Sequence, residues 1–192
     1  MGALVQAGQI LVAGTGPGQL NQYYGFADTT PTTVNTATQS NLCTPYIIPA
    51  GEAYTNAAYE MTAEGYGTQA SGSAVTIGFQ MYLATAFGTL ANVAAGALNA
   101  AETFQWSLIM KLTCADGVSA WEGGLLGSLV NSTTTLNPGT TANNAIPIAS
   151  VNTGSHLASV SGALTAVIQV KLGSASGGPT ITTTKTTWKK TA

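Results

Sequence analysis

Phe104, Trp106, Leu108, Met110, Leu112 and Cys114 fall at every second position, against Gln105, Ser107, Ile109, Lys111 and Thr113 between them. Only an extended chain puts alternate residues on opposite faces, so 104–114 reads as a long strand with one face in a core. Ala115-Asp116-Gly117 follows, with Asp-Gly as a hairpin signal, and the return strand runs from about 120 to 130. Gly123, Gly124 and Gly127 in that return mark bends or close backbone approach. A chain built around such a pair needs a second apolar layer to cover it.

The same period recurs. Tyr59, Met61 and Ala63 alternate with Glu60, Thr62 and Glu64. After a polar turn at 69–73, Val75, Ile77, Phe79, Met81 and Leu83 alternate with Thr76, Gly78, Gln80 and Tyr82, so the two stretches read as a hairpin of long strands. Leu164, Ala166, Ile168, Val170 and Leu172 form another strand, 174–179 a turn, and Thr-rich 181–189 the last strand. The 146–151 stretch is a short strand weakened by Pro147, and 131–144 reads as a Thr/Asn/Pro loop or edge. Ala-rich 87–101 reads as room for a short helix. In the N-terminal quarter, 9–13, 32–38 and 46–51 are short strand candidates. The expectation is all-β: an antiparallel β-sandwich or jelly roll of about seven to nine strands. Residues 1–40 lack long alternation and read as an extended N-terminal arm, with 41–192 as the sandwich domain.

Charge narrows the function. The chain carries seven acids, five lysines, no arginine and one histidine, with a net charge of −2. A folded chain of this mass exposes roughly 8,500 Å², about one charge per 700 Å². Ala, Thr, Gly and Ser make up half of the residues. A surface so sparse in charge tends to self-associate, so neutral polar side chains or neighbouring subunits are expected to cover it. An acidic balance without arginine argues against nucleic acid. The longest apolar-leaning run, 90–101, is broken by Asn92 and Asn99 and is too short to span a membrane; the first residues lack the basic cluster of a secretion signal.

No residue set assembles into chemistry. Gly14-Thr15-Gly16-Pro17-Gly18 has Gln19 where a dinucleotide loop needs its third glycine, so it reads as a hinge. Glu60 and Glu64 share a strand face about 13 Å apart at ~3.3 Å per residue, too far for paired glycosidase carboxylates. His156 has no second histidine for a metal site and no Gly-x-Ser-x-Gly elbow for a triad. Cys43 and Cys114 read as small buried thiols, and Asn131-Ser132-Thr133 fits a glycosylation sequon. Lys185, Lys189 and Lys190 read as a solubilising tail or as a foot for an acidic neighbour. No catalytic, cofactor-binding or metal residue is expected. The interface candidates are apolar spots of the arm: Leu4, Val5, Ile10, Leu11, Val12, Tyr23, Tyr24 and Phe26.

The turn Tyr46-Ile47-Ile48-Pro49-Ala50-Gly51, the strands at 59–68 and 75–83, Phe104-Gln105-Trp106, the Thr/Asn loop and the strands at 165–172 and 180–189 together resemble a known group. They are similar to the Thr/Ala/Gly-rich jelly-roll structural proteins of tailed bacteriophages, which include capsid decoration (cement) proteins and small minor tail proteins. The resemblance spans about 45–190 and is one of architecture and composition. It implies a non-enzymatic virion protein: a homotrimer that decorates and stabilises the capsid surface, with the major capsid protein or other virion proteins as partners and no cofactor. A minor tail or fibre-type protein is the alternative within the group. A carbohydrate-binding sandwich, with exposed Trp121, Trp188 and Tyr82 stacking on sugars, is the alternative outside it.

Overall fold

The computed structural model describes residues 9–11, 24–68, 76–93, 103–131, 145–173 and 180–192. Among them it contains strands and no helix: β1 (Gln9–Leu11), β2 (Tyr24–Asp28), β3 (Thr32–Val34), β4 (Ser40–Asn41), β5 (Tyr46–Ile48), β6 (Ala58–Thr68), β7 (Ile77–Leu83), β8 (Thr85–Val93), β9 (Thr103–Cys114), β10 (Ala120–Asn131), β11 (Ala145–Leu157), β12 (Leu164–Leu172) and β13 (Thr180–Lys190). They form two antiparallel sheets packed as a sandwich. The larger runs β1-β2-β13-β6-β9-β10-β11, with β3 also on β13; the smaller runs β4-β12-β7-β8, with β5 also on β12.

The alternation in β9 is realised without a break. Phe104, Trp106, Leu108, Met110, Leu112 and Cys114 are buried while the residues between them face outward. Rings knit the two sheets together. Tyr46 of the small sheet stacks on Trp188 of the large one at 4.3 Å, and Phe79 meets Trp106 at 6.3 Å. Each such ring buries enough apolar surface that truncation to Ala costs about 3–5 kcal/mol. Room for the rings on β9 comes from glycine on β6: the register sets Gly65 opposite Trp106 and Gly67 opposite Phe104. Thr-rich β13 is satisfied by cross-strand hydroxyl pairs, Thr180 with Thr68 at 2.8 Å, Thr182 with Thr33 at 2.9 Å, and Thr187 with Thr62.

Both margins of the sandwich are tied. Leu42 donates its N–H to the Ile168 carbonyl at 2.9 Å, and its own carbonyl accepts the Thr183 hydroxyl of the other sheet. On the opposite margin β11 lies alongside β8. There His156 Nε2 lies 2.8 Å from the Leu83 carbonyl oxygen and its ring lies 4.5 Å from that of Phe87.

Several local expectations change. The stretches at 59–68 and 75–83 are strands but not a hairpin: β6 pairs with β9 and β13, β7 with β12 and β8. Each lies in a different sheet with one face buried, so the apolar faces meet across the sandwich, which side-by-side pairing would not allow. The described part of the expected helix, to Val93, is β8, where pairing with β7 outweighs the helix propensity of alanine. The short strand at 146–151 is part of 13-residue β11. Pro147 is tolerated there because β11 pairs with β10 at the end of the sheet order. The described residues of the arm are paired within this chain: β2 with β13, β1 with β2, β3 with β13 and β4 with β12. The division drawn at residue 40 falls inside β4.

Candidate functional site

Lys185, Lys189 and Lys190, read as a solubilising tail or as a foot for an acidic neighbour, face this chain's own carboxylates. A lateral row across β13, β6 and β9 aligns Lys189, Glu60 and Lys111. Lys189 Nζ donates to Glu60 Oε1 at 2.6 Å and Lys111 Nζ lies 3.5 Å from Oε2. The Lys189 hydrogen bond holds the Glu60 carboxyl below the usual carboxylate range. Two same-face rows along, past Thr62, Lys185 meets Glu64 at 3.6 Å. Glu60 and Glu64 thus share a face, as expected; Glu60 holds two lysines and Glu64 one.

The third lysine of the C-terminal strand sits deeper. Lys190 and Glu52 are each 11% exposed, with Nζ 3.9 Å from Oε1 and 3.3 Å from the Glu52 carbonyl oxygen. Tyr59 Oη donates to Glu52 Oε1 at 3.2 Å, and Lys190 lies over the Tyr54 ring at 4.5 Å. Burial pushes the Glu52 carboxyl up and the Lys190 ammonium down, each opposed by the charge of the other. The cluster clamps β13 to the 49–57 loop. Main-chain bonds of Thr191 and Ala192 to Ala58 complete the clamp.

The same end of the sandwich gathers three loops. Asn56 bonds the Cys114 carbonyl, Gly51 bonds the Val160 carbonyl, and Val160 and Ala158 bond the carbonyls of Val118 and Ser119. Gly117, at φ 71°, lets the turn pass against Thr55. Asp116 Oδ1 accepts the N–H groups of Val118, Ser119 and Ala120 at 2.8–2.9 Å, which hold its carboxyl below the usual range. These loops present Leu157 at 74%, Val118 at 63% and Tyr54 at 48% exposure. With the charges beside them already paired or hydrogen-bonded, this apolar end is the candidate contact site. Sequence reading missed it because loop residues carry no period.

Four of the eight anticipated interface residues fall within described strands. Ile10 and Leu11 lie in β1, and Tyr24 and Phe26 in β2; Leu4, Val5, Val12 and Tyr23 lie outside the described residues. Trp121 and Trp188, expected as exposed sugar platforms, are 0% and 1% exposed; they face the core because the alternation of their strands puts them there. Tyr82 is partly buried. Cys43 and Cys114 are buried free thiols, and burial pushes Cys43 up to about 11. Among the described residues no three of His, Cys, Asp and Glu converge as metal ligands. No described helix is long and apolar enough to cross a membrane.

Compared with protein-family models, curated proteins and solved structures, the chain matches none.

Proposed function

We propose that the chain is a non-enzymatic structural protein of a bacteriophage virion, a trimeric decoration protein that binds the major capsid protein and stabilises the head surface. The observation that carries this reading is the apolar end beside self-compensated charge. Leu157 and Val118 are the most exposed of the large hydrophobics among the described residues. Four of the five lysines are spent on this chain's own glutamates. Such a protein binds through short-range apolar contact and shape, which suits a subunit seated once among identical neighbours. The virion in this reading rests on the resemblance in architecture and composition.

Two measurements test the proposal. Sedimentation velocity at micromolar concentration should give a trimer, and cryo-EM of particles carrying the tagged chain should find it on the head in threefold clusters. A monomer in solution together with particles lacking the chain would overturn it. Tail density would instead select the minor tail reading.

A further inference from the structure

We propose that the outer face of the large sheet carries a binding site for an uncharged oligosaccharide, separate from the apolar end and independent of the virion reading. A groove of about 370 Å³ lies on this face across β6, β9 and β10. That volume falls within the range of small-molecule sites, about 300–1,000 Å³. Its lining includes Glu64, Tyr66, Gln105, Ser107, Ser128 and Thr184.

The strand register orders these groups. One lateral row sets Tyr66 beside Gln105 and Gln105 beside Val130; the next sets Glu64 beside Ser107 and Ser107 beside Ser128. Same-face rows lie about 7 Å apart and neighbouring strands about 4.8 Å apart, so the three strands offer a platform about 10 Å across, the length of a disaccharide.

Each chemical element of sugar recognition is present. Tyr66 is 47% exposed on the outer face and stacks on none of the rings it could pair with among the described residues. Its ring face suits the polarised C–H groups of a pyranose. The Gln105, Ser107 and Ser128 side chains make no hydrogen bond to another described residue. An amide and two hydroxyls supply both donors and acceptors, matching sugar hydroxyls that are both at once. Lys185 lies 3.6 Å from Glu64 Oε1 and balances its charge. The groove therefore offers no net charge to a phosphate or an acidic sugar, and a neutral one loses least on entering.

The platform is also held in place. Trp106, 3% exposed, packs beneath Gly65 and donates its indole N–H to the Tyr66 carbonyl at 3.2 Å. Thr184 Oγ1 donates to the Glu64 carbonyl at 3.2 Å. The backbone on either side of Gly65 is thus fixed before a ligand arrives, which lowers the ordering cost of binding. A second dent of about 470 Å³ follows along the same strands, lined by Ile109, Leu126 and Glu122 among others. Its place next along β9 and β10, with Ile109 and Leu126 one same-face position from Ser107 and Ser128, favours a chain of sugars over a single ring.

The test uses the full chain with maltohexaose, cellohexaose and laminarihexaose, read by saturation-transfer-difference NMR and calorimetry. At least one should bind with a Kd of about 0.1–1 mM, as a shallow open site allows. Tyr66→Ala and Gln105→Ala should each weaken it about tenfold, or 1.4 kcal/mol. Tyr54→Ala, at the apolar end, should leave it unchanged. Near-UV circular dichroism checks that each variant is folded. Absence of binding by all three sugars, binding that survives both groove variants, or tighter binding of a hexagalacturonate than of any neutral sugar would overturn the proposal. So would loss of self-association, in place of sugar binding, on Tyr66→Ala, because the face would then be a protein contact.

Discussion

Gly67→Ala is a one-carbon change that the packing should not absorb. A Cβ at Gly67 would stand 2.5 and 2.6 Å from Cε2 and Cε1 of Phe104, against ordinary carbon contacts of about 3.5–4.0 Å. Phe104 is 2% exposed, so the ring has no open space to enter and must leave its seat over Gly67. Overpacking costs up to about 3 kcal/mol, and losing a buried phenyl altogether about 3–5 kcal/mol. Replacing a strand glycine recovers about 0.5–1 kcal/mol of chain entropy. The net is a loss of about 2–4 kcal/mol, or about 5–15 °C in Tm for a chain of this length. Urea unfolding and calorimetry measure it, and a double-mutant cycle isolates its cause. With Phe104→Ala already present, Gly67→Ala should be neutral or stabilising, because only the entropy term remains. A Gly67→Ala protein as stable as the parent, or two substitutions that simply add, would refute the ring-over-glycine account.

Lys190→Met should cost about 1–3 kcal/mol, less than breaking a fully buried pair. Without the lysine, burial is opposed only by the Tyr59 hydrogen bond and raises the Glu52 carboxyl further. The deficit should then be small below the ordinary carboxylate pKa of about 4.3 and grow as pH rises through the raised folded value; urea midpoints across that range check it, and Glu52→Gln/Lys190→Met should recover most of the loss. Cys43 and Cys114 should react with a thiol reagent only at the rate of unfolding, since both are buried and Cys43 is pushed up to about 11; immediate labelling of either in the native protein would contradict their placement. Val118→Glu with Leu157→Glu should change stability by no more than about 0.5 kcal/mol and shift a trimer to monomers in sedimentation velocity; an unaltered trimer would move the contact away from the apolar end.

How much of this was legible in the sequence depended on whether a residue repeats. β9 was readable outright, because six alternating apolar residues leave one outward face and one buried face. β6, β7 and β12 were readable for the same reason and β13 from its Thr-rich, β-branched run, as strands though not as partners. Which strands pair is decided by how two apolar faces cover each other, and an alternation pattern holds no such information. β3, β4 and β5 are two or three residues long, too short to show a period. The glycines of β6 signalled close approach only in hindsight, since the rings they admit lie about forty residues away, on β9. Trp121 and Trp188 were misjudged by residue type, although each shares a face with buried neighbours along its own strand. The groove needed three strands in register before Tyr66 and Gln105 could be seen side by side.

The charged residues link the fold to its use. In most chains they cover the surface and give it a field. Here Glu60, Glu64 and Glu52 hold β13 to β9 and to the 49–57 loop through lysines, Asp28 accepts the Thr44 hydroxyl and the Thr30 N–H, and Asp116 ties its own turn. Most of the described lysines are paired within the chain, on the outer face of the large sheet and against the 49–57 loop. Around these pairs and the exposed Glu122 and Lys171, the described surface is hydroxyl, amide, small apolar side chains and a few large hydrophobics. Such a surface cannot steer a partner from a distance, and long-range electrostatics contribute little to its affinity. Recognition must come from close fit, over an apolar end for a protein neighbour and over a neutral polar groove for a neutral ligand. The physics that makes the surface poor in charge therefore also selects the kinds of partner it suits.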